Sequence, residues 1–189
     1  RLWRDRAIQL LMFEGCFIGF GWGVFDVAVP AFATQEGVQH RVAWIFAAFG
    51  AATVVGGLLG GLVSKKLAPL LALRRAYLLW LIACVPVAFT YPDWSMALVG
   101  ACIGFLGGAV QVFYFEVLEA VRPKGSQTAS LGWIWSVEGS FMALGAAVGG
   151  VVSESFSPRI GLAMLPIMIF IGLIILSIGR ARLSAANDV

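Results

Sequence analysis

The sequence predicts an all-α, polytopic membrane protein whose six transmembrane helices form a 3+3 inverted repeat. Three observations carry that expectation. Hydrophobic residues fill 60% of the 189 positions and charged residues only 12%, whereas about a quarter of a soluble domain is charged. Six apolar stretches approach or exceed the roughly 20 residues needed to cross a hydrocarbon core about 30 Å thick. Finally, the first half returns in the second. Gly15, Ile18, Gly19, Phe20, Gly23 and Val27 match Gly100, Ile103, Gly104, Phe105, Gly108 and Val112, 85 positions on; Trp44, Ile45, Gly50, Gly56, Gly60, Gly61, Val63 and Ser64 match Trp133, Ile134, Gly139, Gly145, Gly149, Gly150, Val152 and Ser153, 89 positions on. Gly-rich apolar helices also resemble one another by chance, because small-xxx-small patterns are common wherever membrane helices pack closely. Two matches in one order at nearly one offset favour a true repeat.

The spans are expected near 8–33, 42–64, 76–90, 94–119, 128–152 and 160–179. The first opens after Arg-rich residues and carries Glu14 and Asp26; it is too long for a secretory leader and reads as a helix of the mature protein. The third is short and contains Pro86, which membrane helices tolerate when neighbours satisfy the freed carbonyl. The repeat units are about 8–92 and 93–182. Each holds three spans, an odd number, so the second enters the bilayer from the opposite side, an arrangement found mainly in transporters. The chain starts at Arg1 rather than Met, which suggests an upstream part.

Basic residues set the orientation. Arg1, Arg4, Arg6, Lys65, Lys66, Arg74, Arg75, Arg122, Lys124, Arg180 and Arg182 fall on one side and only Arg41 and Arg159 on the other. The positive-inside rule makes the first side cytoplasmic, with both termini there, in a multi-pass protein of the cell (plasma or inner) membrane. Lys65 and Lys66 are replaced in the second unit by Glu154 and Ser155, as inversion requires. A pI near 9.0 therefore reflects orientation and anionic headgroups, not nucleic acid. Cys16, Cys84 and Cys102 lie within spans and read as small packing residues.

A carboxylate in lipid costs at least about 2.5 kcal/mol at the helix centre, so it faces a hydrated path or a partner. Glu138, about ten residues into its span and so roughly 15 Å deep, is either a protonatable or cation-binding group, or a group that hydrogen-bonds a neighbouring helix or pairs with a cation in the absent part of the protein. Asp26 follows the stripe Gly15, Gly19, Gly23, as Gln111 follows Gly100, Gly104, Gly108; both are expected to line a central path or to bridge helices. These glycines, with Gly145 and Gly149, are expected at close helix contacts. Glu14, one turn inside the basic boundary, reads as a partner for Arg4 or Arg6. Glu116 and Glu119 share a helical face and read as an ion pair with Arg122 or as a gate against Lys65, Lys66, Arg74 and Arg75. Trp22, Trp44, Trp133 and Trp135 lie inside spans, where rings either pack or stack on a cationic or aromatic solute. Tyr91 and Trp94 read as interface anchors.

Enzymatic readings find little support. The single histidine, His40, lies in a loop, so neither a metal cluster nor a Ser/His dyad can be assembled in the membrane, and no phosphate-binding Gly-x-x-x-x-Gly-Lys loop occurs. No cofactor and no metal are expected.

The segment Phe25-Asp26 to Pro30 and on to Glu36-Gly37, the linker Glu119-Ala-Val-Arg-Pro123-Lys-Gly125, the run Gly145-Ala-Ala-Val-Gly149-Gly150 and the turn Ser157-Pro158-Arg159 together resemble the C-terminal six-helix half of a major facilitator superfamily permease of the drug-efflux-like branch. The likeness spans essentially the whole chain, 1–189. It implies half of a twelve-helix carrier, an N-terminal six-helix half as partner, and the first and fourth helices around a central cavity. Gly60-Gly61 to Arg74-Arg75 resembles the family's gating loop, but Lys65 stands where an acidic residue is usual and the later glycine is missing.

The expected function is secondary-active transport by alternating access, with proton-coupled export of a small amphipathic solute. The alternatives are a stand-alone six-helix substrate-binding subunit of a vitamin-type importer and a non-transporting membrane scaffold.

Overall fold

A computed structural model describes residues 5–64 and 66–187; Arg1, Arg4 and Lys65 lie outside the described residues. Six helices form α1 (Arg6–Gln35), α2 (Val42–Ser64), α3 (Pro69–Cys84), α4 (Trp94–Val121), α5 (Gln127–Ser155) and α6 (Pro158–Ile178), and no strand occurs among the described residues. Each of the six, counted with its adjoining 3-10 turns, is long and apolar enough to cross a membrane. This is an all-helical, membrane-spanning architecture.

Local chemistry sets the helix starts. Asp5 caps α1 by accepting from the Ala7 and Ile8 amides at 2.9 and 3.1 Å, Asp93 caps α4 through the Ser95 amide at 2.7 Å, and Ser157 caps α6 just before Pro158 at the first helical position. Such caps answer donors that have no partner within the helix. α3 starts seven residues before the expected position 76, because Pro69 presets the helical φ at its first position. Arg74 and Arg75 are therefore helical, and the connection expected to run up to them is only a short turn. Pro86 does not kink the α-helix; beyond Cys84 the chain tightens into a 3-10 segment, Val85–Phe89, that contains it. After α6, the 3-10 segment Gly179–Asn187 packs on α3 and α4, burying Leu183 and Ala186 completely.

Two helix pairs dominate the packing: α1 lies along α5, and α2 along α4. Glycines let these backbones touch. A methyl group at Gly19 would overlap the Glu138 carbonyl, at Gly23 the Met142 carbonyl, and at Gly145 the Phe20 carbonyl, while at Gly149 it would lie 2.9 Å from Val24 Cα. In the other pair, Gly104 meets the Phe49 carbonyl, Gly108 the Thr53 carbonyl and Gly56 the Phe105 carbonyl, and a methyl at Gly60 would lie 3.0 Å from Ala109 Cα. Gly15 and Gly100, expected in the same stripes, make no close approach: a methyl at Gly15 would sit in ordinary contact, 3.8 Å from Glu138 Cβ, and one at Gly100 would meet nothing. These two glycines lie toward the helix starts, beyond the stretch where the backbones touch. α6 and α3 complete the bundle against α1 and α4.

At the end away from the termini, Arg159 ties three elements together. Its Nη1 donates to the Ala88 and Thr90 carbonyls, each at 2.9 Å, and its guanidinium stacks over the Phe32 ring, 4.7 Å from the centroid. Nearby, Tyr91 Oη donates to Glu36 Oε2 at 2.8 Å; this bond holds the phenol's pKa above its ordinary value, with loss of hydration adding to the effect. Trp94 is largely exposed, as an anchor in the headgroup region would be.

Filling a contact glycine should disrupt the bundle in a position-dependent way. Gly56→Leu and Gly145→Leu are expected to lower stability by more than the ~1–3 kcal/mol typical of overpacking, because the obstacle is backbone. Gly50→Ala and Gly139→Ala, where nothing lies within 4 Å, should leave the thermal midpoint of the purified protein unchanged.

Candidate functional site

The helix pairs leave between them a cavity of about 300 Å³ near the middle of the bundle. Its walls are aromatic: Trp22 from α1, Phe49 from α2, Tyr77 and Trp80 from α3, Tyr114 from α4 and Trp135 from α5. Trp22 packs edge-on against Phe49 at 5.5 Å and tilts against Trp80 at 5.7 Å, and Tyr77 meets Trp80 edge-on at 5.5 Å. Trp80 is fixed at both ends, because its indole N–H donates to the Ile103 carbonyl at 3.0 Å. Buried aromatic N–H groups require such partners. Gln111 and Thr53 add polar surface, the Thr53 hydroxyl being engaged with the Phe49 carbonyl at 2.9 Å.

Two carboxyl groups reach this cavity, Glu14 and Glu138. Glu14 is 2% exposed and accepts a hydrogen bond from Tyr77 Oη. Glu138 is partly buried and borders the same cavity, as does Tyr114, which donates to the Leu11 carbonyl at 3.4 Å. Among the described residues, no Lys, Arg or His lines it. Two acidic groups in an aromatic enclosure without a fixed countercharge suit a proton or a cation, because burying unpaired carboxylates is costly.

Glu14 departs from the sequence reading. Among the described residues it pairs with no basic group, Arg6 included, while Arg4 lies outside them; α1 starts at Arg6, placing Glu14 about 12 Å along the axis and on the face toward α3. Trp22, Gln111, Trp135 and Glu138 do line the cavity. Asp26 does not: it is exposed, a turn past Trp22 on the side away from the termini, and Gln111 therefore lines the cavity without it. Trp44 and Trp133 are also exposed outside the cavity. Tyr77 and Trp80 carried no sequence signal beyond their aromatic character.

At the terminal end, Glu119 and Arg122 form an ion pair, with Arg122 Nε donating to Glu119 Oε2 at 2.6 Å. That bond raises the guanidinium pKa above its ordinary value. Glu116 turns inward, with one carboxylate oxygen buried and unpartnered. Lys66, Arg74 and Arg75 form no ion pair among the described residues. No cluster of His, Cys, Asp and Glu suited to a metal occurs among the described residues, and Cys16, Cys84 and Cys102 are free thiols.

No protein-family model matches this chain, and no curated protein sequence matches it.

Removing the Glu14 donor tests the cavity's architecture. Tyr77→Phe leaves a buried carboxyl without its partner and should cost ~1–3 kcal/mol in thermal unfolding. Combining it with Glu14→Gln should recover part of that loss, and a strictly additive double variant would contradict the pairing.

Proposed function

We propose that this chain is the C-terminal six-helix half of a secondary-active carrier of the major facilitator type, exchanging protons for a small amphipathic solute by alternating access. The observation that carries this reading is the mid-bundle cavity, in which Glu14 and Glu138 face an aromatic enclosure with no basic residue in its lining. An unpaired carboxylate is costly in such surroundings, so either group ionises at low cost only where another positive charge replaces its proton. One elementary charge crossing 100 mV supplies about 2.3 kcal/mol, enough to shift a binding equilibrium tens-fold.

The inverted repeat gains support from the glycine contacts. Under the offsets of 85 and 89, Gly19 against Glu138 corresponds to Gly104 against Phe49, and Gly23 against Met142 to Gly108 against Thr53. Gly56 against Phe105 likewise corresponds to Gly145 against Phe20, and Gly60 against Ala109 to Gly149 against Val24. Chance likeness of Gly-rich sequences predicts no such agreement in three dimensions. The α2 and α5 spans are the least covered, 11% and 17% buried, which supports a second six-helix half lying against them. Both termini are read as cytoplasmic from the basic residues.

The alternative reading is a stand-alone substrate-binding subunit. The upstream reading frame separates the two, with six further spans expected for the carrier.

In proteoliposomes of the full protein carrying a pH-sensitive dye inside, addition of a lipophilic organic cation should move protons in the opposite direction. Glu138→Gln and Glu14→Gln are expected to reduce this exchange at least ten-fold, while Asp26→Asn, outside the cavity, should change it little. Wild-type exchange in the Glu14→Gln, Glu138→Gln double variant would overturn the assignment.

A further inference from the structure

A second cavity lies apart from the aromatic one, at the end of the bundle that carries both termini. The first turn of α3 and the C-terminal 3-10 segment leave a notch of about 310 Å³ lined by Leu70, Leu71, Arg74, Arg180, Ala181 and Ser184. Two guanidinium groups border it, and among the described residues no carboxylate does. Among those residues neither arginine forms an ion pair; the one ion pair joins Glu119 to Arg122.

The backbone adds to this positive field. Ala68 caps α3 with no side-chain hydrogen bond, and Pro69 follows at the first position. The amides of Leu70 and Leu71, two of the residues that line the notch, therefore have no acceptor within the helix or from a cap. They stand at the positive end of a 16-residue helix. Independently, Arg74 Nε is buried and has no hydrogen-bond partner. A buried charged donor in this condition is costly unless an acceptor fills the space beside it.

A tetrahedral oxyanion answers all these donors together: guanidinium forks match phosphate oxygens, and amides at a helix start point toward them. The notch's other wall is apolar, and Leu71, 44% exposed, continues into the surface that six spanning helices present to acyl chains. We propose that this notch binds the phosphate of an anionic phospholipid headgroup, with Arg74, Arg180 and the first amides of α3 as its ligands. A zwitterionic lipid offers the same phosphate, but its cationic amine is repelled by the two arginines, so an anionic headgroup is preferred. The proposal is independent of the carrier reading.

The test is native mass spectrometry of the full protein purified in detergent and incubated with phosphatidylglycerol, phosphatidylcholine or inorganic phosphate. One phosphatidylglycerol should be retained at least ten-fold more than phosphatidylcholine. Arg180→Gln, at an exposed position, should reduce that retention at least five-fold without affecting folding, and Arg74→Gln should do the same. Arg182→Gln, on the same 3-10 segment but outside the notch, should have no effect. Equal losses in Arg180→Gln and Arg182→Gln would mean general attraction by a basic surface and would overturn the site. Full displacement of the lipid by millimolar inorganic phosphate would overturn the lipid assignment in favour of a soluble anion.

Discussion

The structure depends on how closely two pairs of helix backbones pass. In lipid there is no hydrophobic gain from bringing helices together, so association rests on dispersion and on hydrogen bonds, both of which need short range. Glycines supply that range along α1 with α5 and along α2 with α4. The same contacts position the chemistry. The Glu138 carbonyl rests against Gly19, so its carboxyl is anchored by one of the tightest contacts in the bundle, while Trp22 stands beside Gly23 on the helix opposite. Small residues close the pairs, and the rings beside them hold the pairs apart, which is why a cavity survives between tightly packed helices.

Within that cavity, the electrostatic balance is left open. Glu14 has a neutral hydroxyl as its partner, not a cation, and the lining brings no basic group to either carboxyl. A structural ion pair would be self-sufficient; this arrangement is complete only with a proton or a positively charged guest. The proposed carrier uses that incompleteness, since a site that must be neutralised from outside can be neutralised by one species on each side of the membrane.

Much of this was legible in the chain because lipid imposes simple rules. Span number followed from apolar length, and the contact glycines from their spacing, except Gly15 and Gly100, which lie where the helices have diverged. Glu138, Gln111, Trp22 and Trp135 could be singled out because polar or large aromatic groups within a span need a reason. Glu14 was misjudged because its depth was measured from the nearest basic residues. Its environment is fixed by Tyr77, 63 positions away, on a helix whose start at Pro69 was placed too late. Asp26 fails to reach the cavity for a geometric reason. On α1 the lining runs from Glu14 to Trp22, and Asp26 lies a further turn along, at an exposed position.

The Arg159 brace has a mechanical consequence. It joins the start of α6, the segment after α3 and the last turns of α1 through two charge-assisted hydrogen bonds and one ring contact. Prising that corner apart means breaking all three together, so the corner acts as a rivet, not a flap.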